Sequence, residues 1–340
     1  MVANNQSVIE NSLLEHKKRT IAIVAGIGLV LAIILVTHQN QFANPKDELI
    51  KKVIACAIIA VSLIVFVVLY DKIVILPGEL WQNRKLIWKL AKNDFKTRYA
   101  GSYLGMVWAF VQPVVTILVY WFVFEKGFNA KAEVLANGVD APYVLWLTAG
   151  IVPWFFFSEG LMNGTTALLE YSYLVKKVVF KISILPIIKL IAASFIHCFF
   201  VLFMLVLYAF HGFYPDLYTL QVVYYSFCLF MFLLAVSYAT CSIVIFFRDL
   251  TQIIAIFLQV GMWATPILWK ISMIPEPYQI IFKLNPVFYI VNGYRSALLE
   301  KTWFWEDFYS TMYFWITTAV IFGIGALIFK RLKVHFADVL

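Results

Sequence analysis

The sequence predicts an all-α protein that crosses a membrane several times, and three properties of the chain lead to this prediction. Of its 340 residues, 63% are hydrophobic and only 14% are charged, whereas a soluble domain carries about 45–50% apolar and about 25% charged residues. Long apolar runs recur along the chain, and basic residues concentrate in alternate connections between these runs. A soluble core, a disordered chain and a fibrous repeat are therefore excluded.

Eight apolar runs are long enough to cross a bilayer, which takes about 17–25 residues of helix. They are residues 20–36, 53–70, 106–124, 143–163, 184–210, 222–247, 252–269 and 310–329. The first run follows Lys17, Lys18 and Arg19, a pattern that also fits a secretory signal peptide. Because no convincing cleavage site follows, we interpret it as a span. The sequence thus predicts an N-terminal two-span hairpin (1–76), an amphipathic segment (77–105) and a six-span core (106–340).

The net charge of +8 would suggest a nucleic-acid partner in a soluble protein. With a cytoplasmic N-terminus, about two thirds of the 27 basic residues fall in cytoplasmic segments. This bias is the positive-inside rule, so the charge fixes the orientation of the spans. It does not indicate a nucleic-acid partner.

A basic amphipathic helix is predicted over residues 81–100. At 100° per residue, one face carries Lys85, Lys89, Lys92 and Lys96, while the opposite face carries Ile87, Trp88, Ala91, Phe95 and Tyr99. Such a helix lies in the cytoplasmic headgroup region of the membrane, in contact with its lipids.

The outer segment 266–309 contains four prolines and apolar pieces too short to cross the bilayer. Asn285-Pro286 is a typical helix start, with asparagine as the cap and proline at the first helical position. We expect two short re-entrant or interfacial helices, 277–283 and 286–299. An ordinary extracellular loop is the alternative.

Two ionisable residues lie near membrane depth in the six-span core, Glu159 and His197. Two isolated groups do not form a proton relay. We interpret Glu159 as a residue that seats the amphipathic helix, with a substrate contact as the alternative. His197 is interpreted as a hydrogen-bonded packing residue.

Aromatic residues make up 18% of the chain. Trp and Tyr usually form belts at the membrane interfaces, and Trp146 and Trp269 fit such a belt. Aromatic faces also stack on the apolar faces of sugars. Two interpretations therefore remain for four aromatic residues: they belong to a belt or to core packing, or they line a glycan channel. The four residues are Tyr120, Trp154, Phe155 and Trp263.

Several kinds of chemistry are missing from the sequence. No Gly-Lys dipeptide occurs, so the chain has no P-loop for nucleotide phosphates. No D-x-D metal site occurs either. The four cysteines lie in apolar runs without C-x-x-C spacing and are expected to be small buried hydrophobes. We therefore predict neither an enzyme nor a bound cofactor or metal in this chain.

The cytoplasmic connection 165–183 has an apolar head and a basic flank. The head contains Tyr171, Tyr173 and Leu174, and the flank begins at Lys176 and Lys177. A compact helix of this kind suits docking into a groove of a cytoplasmic partner. A plain positive-inside loop is the alternative.

Six consecutive blocks of sequence resemble the permease subunits of ABC-type exporters of lipid-linked polysaccharides. The blocks are NDFKTRYAGSYLGMVWAFVQP (93–113), LTAGIVPWFFFSEGL (147–161), YLVKKVVFKISILP (173–186), FFRDLTQIIAIFLQ (246–259), TPILW (265–269) and LNPVFYIVNGYRSALL (284–299). The AGIVPWFF segment, the GFYPDLY loop at 212–218 and the C-terminal region lean toward the wall teichoic acid branch over the O-antigen branch.

The resemblance implies a homodimer of multi-pass permeases in the bacterial cytoplasmic membrane, partnered by a cytosolic ATPase that holds ATP and Mg²⁺. It also implies an interface helix (81–100), a coupling helix in the ATPase groove (170–181) and two outer gate helices (277–299). The hairpin 1–76 departs from the family pattern, which usually begins near the interface helix.

Three hypotheses follow for the function. The first is ATP-driven export of a lipid-linked glycan or teichoic acid, with the pyrophosphate captured by Lys92, Lys96 and Arg98. The second is export of a small amphiphile or drug by the same architecture. The third, a glycan-processing membrane enzyme, is disfavoured by the missing carboxylate pairs and metal ligands.

Overall fold

The computed structural model describes residues 2–37, 83–98, 105–130, 141–176 and 181–340, together with scattered positions between 49 and 70. All regular elements in these residues are helical. The chain divides into two compact units, Met1–Asn83 and Arg84–Leu340. The division into 1–76, 77–105 and 106–340 remains a prediction.

The first unit contains helix α1, Val2–Thr37, which includes the apolar run 20–36. The Lys17 ammonium lies 5.3 Å from the centroid of the Tyr70 ring. Farther along α1, a Cβ on Gly28 would lie 2.9 Å from Leu63. Near the end of α1, the Lys52 ammonium donates to the Val36 carbonyl at 3.3 Å. Residues 17, 28 and 36 of α1 thus contact residues 70, 63 and 52 in turn. The described positions between 52 and 70 therefore run antiparallel to α1.

The described residues of the second unit form eleven α-helices, which we number onward from α1. They are α2 (Arg84–Arg98), α3 (Trp108–Trp121), α4 (Tyr143–Glu170), α5 (Ser172–Val175), α6 (Leu185–Phe210), α7 (Gln221–Ile243), α8 (Leu250–Ala264), α9 (Glu276–Lys283), α10 (Pro286–Arg295), α11 (Phe308–Leu332) and α12 (Phe336–Val339). A π-helical turn, Phe122–Gly127, extends α3, and another, Ser296–Glu300, extends α10.

Five helical segments of the described residues are long and apolar enough to cross a membrane. They are Trp108–Gly127, Tyr143–Glu170, Ile182–Phe210, Tyr218–Ile243 and Phe308–His335. Each coincides with one of the predicted spans. The chain is therefore an all-helical multi-pass membrane protein.

The predicted span 252–269 is wrong in its extent. Helix α8 ends at Ala264, and Thr265 is extended, with φ −96° and ψ 130°. The cause is Pro266, since a residue that precedes proline is pushed out of the helical region. The 15 residues of α8 are roughly 22 Å long at 1.5 Å per residue.

Helices α4, α6 and α7 form the centre of the second unit. Most of α4 is buried, whereas few residues of α3 and α11 are buried. Helix α11 packs on α7, and α2 packs on α6. The α7–α11 contact is close because Gly325 lacks a side chain: a Cβ there would lie 2.8 Å from the Ala235 carbonyl oxygen. Small residues at such crossings let membrane helices pack backbone to backbone.

The expectation that all cysteines are buried is wrong for Cys198, whose side chain is exposed on α6. An apolar run in a membrane helix gives no indication of which residues face protein, because lipid is as apolar as a protein core. Cys228 and Cys241 are buried as expected.

The two outer helices predicted from the proline pattern are present as α9 and α10. Asn285 caps α10 as predicted: its side-chain oxygen accepts from the Val287 amide at 3.0 Å. The Asn285 amide also donates to the Thr265 hydroxyl at 2.9 Å. One side chain therefore starts α10 and ties it to the turn that ends α8.

Candidate functional site

Helix α2 has the two faces that its sequence predicts. Ile87 and Ala91 are buried, and Trp88 and Phe95 contact the Phe195 ring of α6 edge-on, with centroids 5.3 and 5.7 Å away. The four lysines, Lys85, Lys89, Lys92 and Lys96, are exposed. Tyr99 lies outside the described residues. The amphipathic prediction is therefore confirmed over Arg84–Arg98, except that Trp88 is 57% exposed in spite of its contact with Phe195.

A carboxylate, Asp94, lies on the packed face of α2, where the sequence pattern led us to expect only apolar residues. Its Oδ1 accepts from the Lys189 ammonium of α6 at 2.5 Å and from the Tyr171 hydroxyl at 2.8 Å. Burial raises the pKa of the Tyr171 phenol, and the hydrogen bond to Asp94 raises it further. The phenol therefore stays protonated and donates to the carboxylate.

Lys189 joins the same cluster to the end of α4. Its ammonium donates to Glu170 at 2.6 Å and lies 5.0 Å from the centroid of the Tyr171 ring. The Lys189 side chain is 5% exposed, and that of Asp94 is 9% exposed, whereas that of Glu170 is 50% exposed. The cluster therefore reaches from the packed interior to the surface of the unit.

Arg98 continues this cluster toward α4. Its guanidinium donates to Glu159 and lies 3.7 Å from Asp94 Oδ2. Asn163 also lies within hydrogen-bonding distance of Glu159, at 3.4 Å. The interpretation of Glu159 as the residue that seats the amphipathic helix is confirmed. We call the series Glu159, Arg98, Asp94, Lys189 and Glu170 the ion chain.

Glu159 also lines a cavity of about 740 Å³ between α3, α4 and α6. Such a volume lies in the range of small-molecule sites, about 300–1,000 Å³. The lining combines aromatic rings with polar groups: Trp108, Phe155, Phe156 and Phe200 with Gln112, Thr116, Ser158, Glu159 and His197. Polar groups at membrane depth are costly and usually functional.

His197 is a hydrogen-bonded packing residue, as predicted. Its Nε2 lies 3.1 Å from both the Ser226 and the Tyr294 hydroxyls. Its ring stacks on Phe156 at 4.4 Å between centroids. Its Nδ1 has no hydrogen-bond partner within the described part of the chain.

The four aromatic residues considered for a channel differ in their exposure and contacts. Phe155 lines the cavity, while Trp154 is 4% exposed. The Tyr120 hydroxyl lies 3.9 Å from Met262 Sδ. Trp263 is 56% exposed on α8. A channel role for these side chains remains a prediction.

The predicted coupling helix 170–181 forms a single described helical turn, α5. Tyr171 is buried against Asp94, Tyr173 is 58% exposed, and Lys176 is exposed. Lys177 lies outside the described residues. The exposed tyrosine is available to a partner, whereas the buried one donates to Asp94 of the ion chain.

Sequence reasoning missed a second buried cation, Arg295, at the outer end of the core. Its Nη1 donates to the Pro266 carbonyl at 2.7 Å and its Nη2 to the Ile267 carbonyl at 3.0 Å. Its Nε donates to the Trp146 carbonyl at 3.4 Å, and its Cζ lies 3.4 Å from the centroid of the Trp146 ring. Trp146 is therefore not part of an interfacial belt. The sequence does contain an indication of this site, namely an arginine in an otherwise apolar segment.

Comparison with known proteins covers most of the second unit. The profile of the ABC-2 type transporter family matches residues 85–299, which is more than half of the chain. The chain belongs to the ABC-2 type transporter family. As a member it is a membrane subunit of a transporter in the bacterial cytoplasmic membrane.

Curated relatives carry a more specific description. The chain is 27% identical over 256 residues to the O-antigen export system permease protein RfbA of Klebsiella pneumoniae, covering 74% of this chain and 93% of that protein. It is 28% identical over 268 residues to the protein of the same name from Myxococcus xanthus, covering 77% and 98%. Both alignments extend over nearly the whole of the relatives.

Proposed function

We propose that this chain is the membrane subunit of an ATP-driven exporter that moves a lipid-linked polysaccharide from the cytoplasmic to the outer leaflet. The observation that carries the proposal is its similarity to O-antigen export permeases over 93–98% of their length. Because these relatives are described as O-antigen export permeases, we favour O-antigen as the class of glycan that this chain exports. Teichoic acid remains an alternative cargo, on the resemblance of the 212–218 loop.

The effect of the chain on the cell surface tests this proposal. A strain that lacks the chain should lose its surface polysaccharide and accumulate lipid-linked glycan inside. Expression of the wild-type chain should restore both. Unchanged surface polysaccharide in the deletion strain would contradict the proposal, and loss of resistance to a small amphiphile instead would favour the drug-export alternative.

The basic face of α2 is proposed to capture the pyrophosphate of the substrate. Lys92 and Lys96 are exposed, and their charges act at a partly desolvated membrane surface, where attraction for anions is stronger than in bulk water. Arg98 adjoins them but is already bonded to Glu159. We therefore assign first contact with the phosphates to the two lysines and a later role to Arg98.

Replacement of Lys92 and Lys96 by alanine should weaken capture. We expect substrate-stimulated ATP hydrolysis by the purified complex to need about thirtyfold more substrate, since each of the two lysines near an anionic surface contributes about 1 kcal/mol. The matched control replaces Lys330 and Arg331, two exposed cations at the end of α11. Equal responses of the two double variants would remove α2 from substrate capture.

Docking of a cytosolic ATPase is proposed for α5 and the residues that follow it. ATP and Mg²⁺ would be bound by that partner. Tyr173→Asp places a charge on a side chain that is 58% exposed, so folding should be unaffected while the ATPase no longer co-purifies. Tyr278→Asp, at a tyrosine on α9 that is 60% exposed, serves as the control. An intact complex in the Tyr173→Asp variant would contradict this docking site.

A second copy of the chain is proposed to cover the exposed face of α8. Five large apolar side chains recur there at helical spacing: Ile253, Ile256, Phe257, Val260 and Trp263. Two such faces would enclose a path lined by Trp263 and neighbouring rings. Cross-linking between cysteines introduced at Phe257 in two copies tests this arrangement, and a monomeric species in native membranes would contradict it.

A further inference from the structure

The ion chain joins three segments that are far apart in sequence. Asp94 belongs to α2, Lys189 to α6, and Glu170 and Tyr171 to the junction of α4 with α5. Lys189 bonds both acidic groups, at 2.5 Å and 2.6 Å. Any displacement of the α4–α5 junction therefore acts directly on the carboxylate of α2.

Stability alone does not account for this cluster. Burial of a lysine and an aspartate costs several kcal/mol per ion, and well-packed apolar side chains in their place are often equally stable. Asp94 also has an unused acceptor, since its Oδ2 is buried and has no hydrogen bond among the described residues. A cluster built only to hold α2 in place would satisfy both oxygens.

Arg98 lies where it can supply that missing bond. Its guanidinium donates to Glu159, and one of its nitrogens is 3.7 Å from Asp94 Oδ2. This distance is too long for a hydrogen bond but is within reach of a small rotation of the guanidinium. The same groups thus have two arrangements, with Arg98 bonded mainly to Glu159 or mainly to Asp94.

We propose that Asp94 is a positioning residue that couples the ATPase-docking segment to the cavity, with Arg98 exchanging between Glu159 and Asp94. This inference rests on the proposed function. When the docked ATPase displaces the α4–α5 junction, Lys189 and Tyr171 move with it and neutralise Asp94 less completely. The nearby guanidinium then transfers to Asp94, and the Glu159 carboxylate is released into the cavity.

The exchange changes the cavity at membrane depth. With Arg98 bound to Glu159, the charge of the carboxylate that lines the cavity is neutralised. With Arg98 on Asp94, the cavity contains an uncompensated negative charge, which repels the phosphates of a substrate and accepts hydrogen bonds from sugar hydroxyls. The cytoplasmic step thereby alters substrate affinity without a direct contact between ATPase and substrate.

The double variant Asp94→Asn with Lys189→Met tests the coupling. It removes both buried charges together, and Glu170, which loses Lys189, is half exposed and so remains hydrated. The asparagine amide at position 94 can still accept from Tyr171. In the reconstituted complex of permease and ATPase, we expect the ATP hydrolysed per glycan exported to rise about tenfold, within the roughly 5- to 150-fold range of coupling between sites. The matched control is Glu300→Gln, an exposed outer carboxylate bonded to Ser296.

A second variant keeps the inference testable if the double variant does not accumulate. Glu170→Gln weakens the exposed end of the ion chain, where the side chain is 50% exposed, and leaves the Lys189–Asp94 pair intact. We expect a smaller rise in the same ratio. A ratio within twofold of wild type in the variants that accumulate would overturn the inference. Failure of the proposed function is recognised separately, because the wild-type complex would then export no glycan.

Discussion

The two ends of the core, which the predicted orientation places on the cytoplasmic and outer sides, bind their cations in different ways. At the cytoplasmic end, Arg98 and Lys189 are bound by carboxylates of side chains on α2 and α4. At the outer end, Arg295 is bound by three backbone carbonyls. Carbonyls in a turn have fixed positions, whereas carboxylates on separate helices move with those helices. Arg295 therefore holds its part of the outer end in one arrangement, whereas the groups at the cytoplasmic end can rearrange.

The largest effect is expected from Arg295→Met. This substitution leaves the buried carbonyls of Trp146, Pro266 and Ile267 without their donor, and each unsatisfied acceptor costs about 1–3 kcal/mol. We expect a loss of about 3–5 kcal/mol in stability, measured as thermal unfolding in detergent and as the amount in membranes. Lys283→Met removes an exposed cation from the neighbouring helix α9 and should have little effect. Comparable stability of both variants would show that the outer end is not held by Arg295.

A smaller loss is expected from Gly150→Ala. A Cβ at this position would lie 2.8 Å from Arg295 Nη2, and the guanidinium is held in place by its carbonyl bonds. Overpacking of this kind costs about 1–3 kcal/mol. Gly323→Ala is the control, because a Cβ added there would have no atom within 4 Å and alanine favours a helix. Equal unfolding temperatures of the two variants would show that Arg295 has room to shift.

The cytoplasmic end should respond less in stability to the loss of a charge. Glu159→Gln keeps a hydrogen-bond acceptor for Arg98, and both side chains are about a quarter exposed. We expect a change of about 1 kcal/mol or less in the free energy of unfolding, with a clear loss of export. Destabilisation as large as that of Arg295→Met would remove the distinction between the two ends.

The smallest effect is expected at the outer surface, where Asp216 pairs with Lys301 at 2.8 Å. Burial opposes the charge of this carboxylate, but hydrogen bonds from Lys301 and Thr219 outweigh it and lower the pKa of Asp216. A lowered pKa means that the ionised group stabilises the fold at neutral pH, and that this contribution is lost as the pH falls through the lowered value. We expect Asp216→Asn to reduce stability by about 0–1 kcal/mol at pH 7.

The difference between Asp216→Asn and wild type should shrink when unfolding temperatures are measured in increasingly acidic detergent solution. It should also shrink in high salt, because the pair is partly exposed. A difference that is constant from neutral to acidic pH would contradict the assignment.

The sequence was most informative where a pattern depends on neighbouring residues. The spacing of the four lysines predicted the exposed face of α2, and Asn285-Pro286 predicted the start of α10. The apolar runs likewise predicted the membrane spans, since a spanning helix requires only a continuous stretch of apolar residues. Apolarity continues past Ala264 and so predicts too late an end for α8, which Pro266 ends by keeping Thr265 out of the helical region.

Interactions between distant residues were less predictable. Glu159 was assigned to seating α2, but its partner Arg98 had been assigned to substrate capture. Asp94 and Lys189 are 95 positions apart, and no local pattern relates them. Arg295 was missed for the same reason, because its partners are backbone carbonyls, which every residue possesses.

The shortness of α8 has a consequence for the membrane around the protein. A helix of roughly 22 Å does not match a hydrocarbon core of about 30 Å. Helix α9 exposes the apolar side chains of Tyr278, Ile280 and Ile281. Lipid relieves such hydrophobic mismatch by thinning, at a cost of fractions of a kcal/mol per Å, at the rim of α8 that the proposed second copy leaves uncovered. A polar polymer that passes between two copies at α8 would therefore cross a shorter apolar stretch than elsewhere around the protein.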